Sequence, residues 1–290
     1  PQDQQPFFRQ LHDAAQLNQP AIQEFCTSYR KIADSYPNDR FLMGEVDGDN
    51  DTAMSVSENF TKPGRLHATY NFDLLEWAGL TVSEIREAIL KAAEIFNNTG
   101  RLSFAFSNHD VPRVATRQLK ALGVSVKDSD RMQILLLKLQ ISIIGSSCIY
   151  QGEELGLEDV TDIPKEKMQD PWGIEFAPTF LGRDTCRTPM VWNKKLPNGG
   201  FSRANKTWLP IANKHLNRAA IDSASDPKSI YNELSKFLKW RKKQPAMMRA
   251  NCMLNITGDH KEISFERQSD NQTLRCNFDF DTLTASFQEI

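Results

Sequence analysis

One repeated unit constrains this chain more than anything else. A short apolar run stops at a carboxylate, and a stretch of helical period comes next. "RFLMGEV" carries Glu45 at its end, "RLHATYNFD" Asp73, "RLSFAFSNHD" Asp110 and "SSCIYQGEE" Glu153. Apolar residues at three- and four-residue steps predict helices over 20–36, 82–96, 130–144 and 229–243. In the first, Ile22, Phe25, Cys26, Tyr29, Ile32 and Tyr36 share a face, and Pro37-Asn38-Asp39 ends it. Before the second, Thr81 and Glu84 have the spacing of a capping box, with Leu80 placed to staple onto Ile85. Strands joined by helical crossovers run parallel, so their carboxyl ends share one rim. In an α/β barrel that rim carries the active site. A polar strand end therefore belongs at a mouth, not in a core.

Near Pro245 the pattern changes. "CMLNIT", "EISFER", "TLRCNFDF" and "LTASF" are short strands separated by turns at Gly258-Asp259 and Ser269-Asp270-Asn271, with no helix between them. The expected organisation is half a barrel over 1–246, with a long polar loop after its last strand, followed by an antiparallel β domain over 247–290.

Composition narrows the partners. The net charge is −2 over 290 residues, which argues against a surface that tracks phosphates, so no nucleic-acid partner is expected. The longest apolar run, 134–144, is broken by Lys138 and Gln140 and falls short of the roughly 18 residues of a membrane span. The five cysteines are odd in number, scattered and without a Cys-x-x-Cys pair, so neither a zinc site nor a disulfide framework is expected. A reducing, cytoplasmic setting fits that usage. No metal or cofactor is expected.

Four blocks, in order, resemble the α-amylase/α-glucosidase superfamily of retaining glycoside hydrolases. "FLMGEV" is similar to its strand-5 motif, "FSNHD" to its strand-7 motif and "CIYQGEELG" to its strand-8 segment. "QDPWGIEF" with "GRDTCRTPMVWN" is similar to the loop after strand 8 in bacterial α-glucosidases and oligo-1,6-glucosidases. The resemblance implies a (β/α)8 TIM barrel of which this chain holds strands 5–8. It makes Glu45 the acid/base and Asp110 the carboxylate that stabilises the transition state. His109 would donate to the same sugar hydroxyls. Arg113 lies either near the sugar or paired with a rim carboxylate. Asp73 reads as structural, and Glu153 with Glu154 as a solvated or capping pair. Phe72, Tyr150, Trp172 and Phe176 are candidates for stacking on a sugar ring, although each also reads as packing.

The chemistry agrees with those assignments. Glycoside cleavage needs a carboxylic acid to protonate the leaving oxygen, and a retaining enzyme reuses that group as a base toward water. It also needs a nucleophile carboxylate about 5–5.5 Å from the acid. The family carries that group in a Gly-x-Arg-x-Asp stretch before the Gly-Glu segment, and no such stretch precedes Glu45. Arg183-Asp184 in "GRDTCR" falls after the fourth block instead. The expectation is an α-glucosidase half that lacks its nucleophile, is inactive alone, and has an α-glucoside and the upstream half of the barrel as partners. A glucosyl transferase or isomerase, a non-catalytic relative and, for the β tail alone, a carbohydrate-binding module are the alternatives.

Overall fold

The computed structural model describes residues 20–46, 53–98, 101–248 and 252–290. Its first part runs α1 (Pro20–Asp34), β1 (Met43–Glu45), α2 (Ala53–Phe60), β2 (Ala68–Asn71), α3 (Val82–Asn98), β3 (Leu102–Phe104), α4 (Val114–Ala121), α5 (Ser129–Ser142) and β4 (Ser146–Ser147). The strands form one parallel sheet in the order β1-β2-β3-β4. After a long loop with short helical turns comes α6 (Ile230–Arg241), then the antiparallel meander β5 (Cys252–Gly258), β6 (Glu262–Ser269), β7 (Gln272–Asp279) and β8 (Thr284–Glu289).

Local chemistry explains the best-read elements. Glu84 Oε2 accepts from Thr81 N at 2.7 Å while Glu84 N donates to Thr81 Oγ1 at 3.3 Å, so the capping box opens α3 as expected. Leu80 and Ile85 are both buried. The Ser229 hydroxyl caps α6 by accepting from Asn232 N at 3.2 Å.

One expectation needs correction, and two features lie beyond what the sequence pattern shows. β3 ends at Phe104, so the polar residues up to Asp110 lie in the turn that follows, because Asn108 folds back onto its own backbone. The crossover helices α2 and α4 were not read, since each is a short segment of only two turns. The apolar face of α1 is only partly covered. Cys26 is buried with Val56 and Phe60, but Phe25 and Ile32 are each 59% exposed and Tyr29 and Tyr36 are exposed as well.

Side-chain alternation divides the interior. Leu102, Phe104 and Phe106 enter a large core with residues of α3, α5 and α6. Ser103, Ala105 and Ser107 alternate with them and face the opposite side of the sheet. There Ala105 packs with Leu75, Val111, Tyr70, Phe72 and Cys148. The large core also takes in Met253, Ile263, Phe265, Leu274 and Phe278 of the antiparallel sheet. Arg267 Nη1 donates to Ser142 O at 2.6 Å across the same junction. The two sheets thus share one buried cluster through the helical layer.

That shared core predicts that Phe265→Ala, at a fully buried position, destabilises the whole chain by about 3–5 kcal/mol. Urea unfolding followed by far-UV circular dichroism should show one transition at a lower midpoint, with helix and sheet lost together.

Candidate active site

The parallel register sets one row across the sheet: Glu45 beside Tyr70, Tyr70 beside Ser103, and Ser103 beside Ser146. Glu45 is the last residue of β1 and is exposed. Asp110 lies in the turn that follows β3. Both carboxylates therefore leave the sheet at its carboxyl-terminal edge.

The turn that carries Asp110 is built by Asn108, whose Oδ1 accepts from Asp110 N at 2.8 Å and from Val111 N at 3.1 Å. Tyr70, on β2, lies beside Asn108. Burial pushes the Tyr70 phenol well up, and the nearby Cys148, Glu153 and Glu45 add to the shift.

Asp110 is clamped by the long loop. Its Oδ1 accepts from Arg183 Nη1 at 3.1 Å and from Arg187 Nη2 at 2.8 Å, and its Oδ2 faces His109 Nε2 at 3.3 Å. Arg187 Nε also donates to His109 O at 2.7 Å. Arg183 has a firm anchor of its own in the buried Asp170, with Nη2 2.8 Å from Oδ1 and Nε 3.1 Å from Oδ2. Hydrogen bonding to Arg183 holds the Asp170 carboxyl down at about 2. Trp172 covers the Arg183 guanidinium at 4.8 Å. Beside the clamp opens a cavity of about 380 Å³ whose lining includes Gln151, Asp170, Arg183, Arg187 and Trp208.

Other expected residues fall elsewhere. Arg113 is 0% exposed and takes neither of the two positions expected for it. Its guanidinium donates to Gln151 O at 2.5 Å and to Cys186 O at 3.0 Å, and it stacks over Tyr150 at 5.0 Å. It braces the loops because a buried guanidinium needs acceptors and bare carbonyls are what lie there. Gly152 adopts φ +89, and a Cβ there would sit 3.1 Å from Arg113 Nη1 and closer still to Leu157. Tyr150 is occupied by that cation and by Cys186 O, to which its hydroxyl donates at 3.1 Å. Phe72 packs edge-on against Tyr70. Asp73 accepts from Asn71 Nδ2 at 3.0 Å, a local structural bond. Glu153 is buried, not solvated, and caps the turn through Tyr150 N at 2.8 Å, as Glu154 does through Gly152 N at 2.8 Å. Among the expected stacking residues, Trp172 and Phe176 stay exposed. Arg183, Arg187, Asp170 and Asn108 were not read as site residues. Their signal lay in the "QDPWGIEF", "GRDTCR" and "SNHD" blocks, but nothing local shows that these blocks meet. Among the described residues, no group of three His, Cys, Asp or Glu side chains is placed to hold a metal ion, and no helix is long and apolar enough to cross a membrane.

Residues 2–250 match the alpha amylase catalytic domain. The chain belongs to the alpha-amylase family. It is 37% identical over 270 residues to a probable alpha-glucosidase of Rhizobium meliloti (strain 1021), covering 93% of this chain and 47% of that protein. It is 28% identical to the oligo-1,6-glucosidase IMA3 of Saccharomyces cerevisiae, covering 96% of this chain and 53% of that one. Among solved structures, the alpha-glucosyl transfer enzyme XgtA superposes with a TM-score of 0.79 at 33% identity, over 90% of this chain and 46% of the other. The trehalose-6-phosphate hydrolase of Bacillus licheniformis superposes at 0.76 over 90% of this chain and 50% of that one, and at 21% identity it speaks for the fold alone. The fold is the alpha-amylase-family barrel fold with a C-terminal antiparallel sheet. The chain spans about half the length of these relatives.

The clamp predicts a cost for losing its anchor. Arg183→Met leaves Asp170 buried beside no cation, which should destabilise the chain by about 3 kcal/mol, the low end for a buried pair because Arg183 is partly exposed. The Asp170 carboxyl sits below its usual value in the folded state, so its contribution is complete above about pH 4 and fades as pH falls toward 2. Urea midpoints of wild type and variant, measured at neutral pH and again across that acid window, should converge as pH drops.

Proposed function

We propose that this chain is the second half, strands 5–8, of the (β/α)8 barrel of a retaining α-glucosidase, over 1–246, with 247–290 forming its C-terminal β domain. The substrate is a terminal α-linked glucose of a maltose-like oligosaccharide. The observation that carries the reading is the shared rim: Glu45 ends β1, and Asp110 lies beyond β3 on the same edge of a parallel sheet. Two features support an upstream half. The outer edge of β1 has no neighbour among the described residues, and the apolar face of α1 carries exposed Phe25, Tyr29 and Ile32.

On this reading Glu45 protonates the glycosidic oxygen as the bond breaks. The nucleophile carboxylate, supplied by the upstream half, closes on the anomeric carbon. Glu45 then takes a proton from the water that releases glucose. Asp110 accepts hydrogen bonds from sugar hydroxyls and offsets the positive charge of the oxocarbenium-like transition state. His109, beside it and exposed, donates to the same hydroxyls. Arg183 and Arg187 hold Asp110 in place, so little reorganisation is needed when the sugar arrives. Without the nucleophile no glycosyl intermediate forms, so the chain alone is inactive.

A second reading is glucosyl transfer through the same intermediate, with a sugar hydroxyl in place of water. The 33% identity to the alpha-glucosyl transfer enzyme favours keeping it. Product analysis with maltose separates the two.

In the full-length enzyme, Glu45→Gln should lower turnover of maltose by about 10²–10⁴-fold. An aryl α-glucoside, whose leaving group needs less protonation, should lose less in the glycosylation step. An unchanged rate on maltose would remove Glu45 from the acid role.

A further inference from the structure

A carboxyl group that the reaction above does not use sits beneath the rim. Glu153 is 2% exposed, in the turn after β4. Its Oε2 accepts from Tyr150 N at 2.8 Å. The Ser107 hydroxyl lies beside the carboxyl and favours its anion, although Oε1 has no partner in hydrogen-bonding geometry. Ser107 Oγ already accepts from Val114 N at 2.8 Å, so its own proton is free to be donated. Ser107 is also the first residue of the turn in which Asn108 fixes Asp110. From Glu153 to Asp110 the chain of contacts is therefore short and passes through Ser107 and Asn108.

Resting on the glucosidase reading, we propose that Glu153 is a positioning residue for Asp110: its carboxylate accepts a hydrogen bond from the Ser107 hydroxyl and thereby holds the Ser107–Asp110 turn in the orientation that presents Asp110 to the sugar. The groups that face Glu153 fit an anion placed for this purpose. Arg117 from α4 and Arg113 from the turn before it bring cationic charge, and Tyr70 on β2 and Cys148 after β4 complete the surroundings. Burial opposes that anion and lifts the carboxyl to about 7, with Ser107, Tyr150 N and the two arginines pulling the other way. The brace is therefore complete above neutrality and released as pH falls below it.

The test is made in the full-length enzyme. Glu153→Gln keeps the side-chain size but offers one acceptor and one donor where the carboxylate offers two acceptors. Either Tyr150 N–H or Ser107 O–H then loses its partner. The expected result is a fall in kcat on the order of 10–100-fold, as for a displaced reacting group, with KM little changed. The acid limb of the wild-type pH profile near neutrality should vanish in the variant. Ser107→Ala, which removes the donor to Glu153 and also the acceptor of Val114 N, should give at least the same loss, and the double variant should lose no more than Ser107→Ala alone. Far-UV circular dichroism and urea midpoints establish that each variant is folded. If Glu153→Gln does not fold, Ser107→Ala carries the test, and a wild-type kcat in that variant overturns the proposal. A folded Glu153→Gln enzyme that keeps its kcat and its acid limb overturns it equally. A full-length wild type without activity on any α-glucoside would instead refute the glucosidase reading.

Discussion

The parallel register of β1–β4 is the constraint on which the rest of the structure depends. It aligns Glu45, Tyr70, Ser103 and Ser146 in one row and sends their side chains to one face. A slip of a single residue in β3 would turn Ser103 toward the helices and Phe104 away from them. The large core would then receive a hydroxyl with no acceptor, and the small cluster around Ala105 would have to take a phenylalanine. Burial on both faces, apolar on one and mixed on the other, excludes such a slip. The rim chemistry is inherited from that packing, since the turns after the strands begin where the register puts them.

Buried arginines hold those turns. Loops at strand ends cannot pair their carbonyls in the sheet, and buried carbonyls need donors. Arg117 donates to Glu76 O, Pro112 O, Leu74 O and Phe106 O, and Arg113 ties Gln151 O to Cys186 O. The guanidinium fork suits this work because it offers five donors in fixed directions. Burial lowers the Arg117 pKa to about 10, with the charge of Glu153 foremost among those opposing the shift. Arg183 has a different part, since it reaches from the buried Asp170 to the half-exposed Asp110. One class of side chain thus both braces the loops and orients the carboxylate at the mouth.

What could be read in advance follows from how local each signal is. The capping box at Thr81, the amphipathic α6 and the turn-separated strands of the C-terminal sheet are decided within a few residues, and they formed where their patterns stood. The parallel order of four strands was legible because crossover helices leave little choice of topology. The exposure of the apolar face of α1 was not legible, because periodicity shows that a face is apolar without showing what covers it. Arg113 was misplaced because an arginine near a site motif looks the same in sequence whether it faces solvent or carbonyls. The clamp on Asp110 was out of reach, for Arg183 and Arg187 lie 73 and 77 residues along the chain and meet it only when the long loop folds back. Glu153 and Glu154 share one sequence context, and only the packing separates the buried member from its neighbour.

Half of a catalytic rim is proposed to be present here, with the other half supplied by an upstream segment. The most direct measurement is hydrolysis of an aryl α-glucoside by the purified 290-residue chain, alone and then mixed with the upstream half expressed as a separate chain. The account predicts no turnover by the chain alone, and turnover on mixing, since the edge of β1 that has no neighbour among the described residues and the exposed face of α1 become covered as the nucleophile arrives. Robust turnover by this chain alone, abolished by Asp110→Asn, would contradict it and make Asp110 the nucleophile.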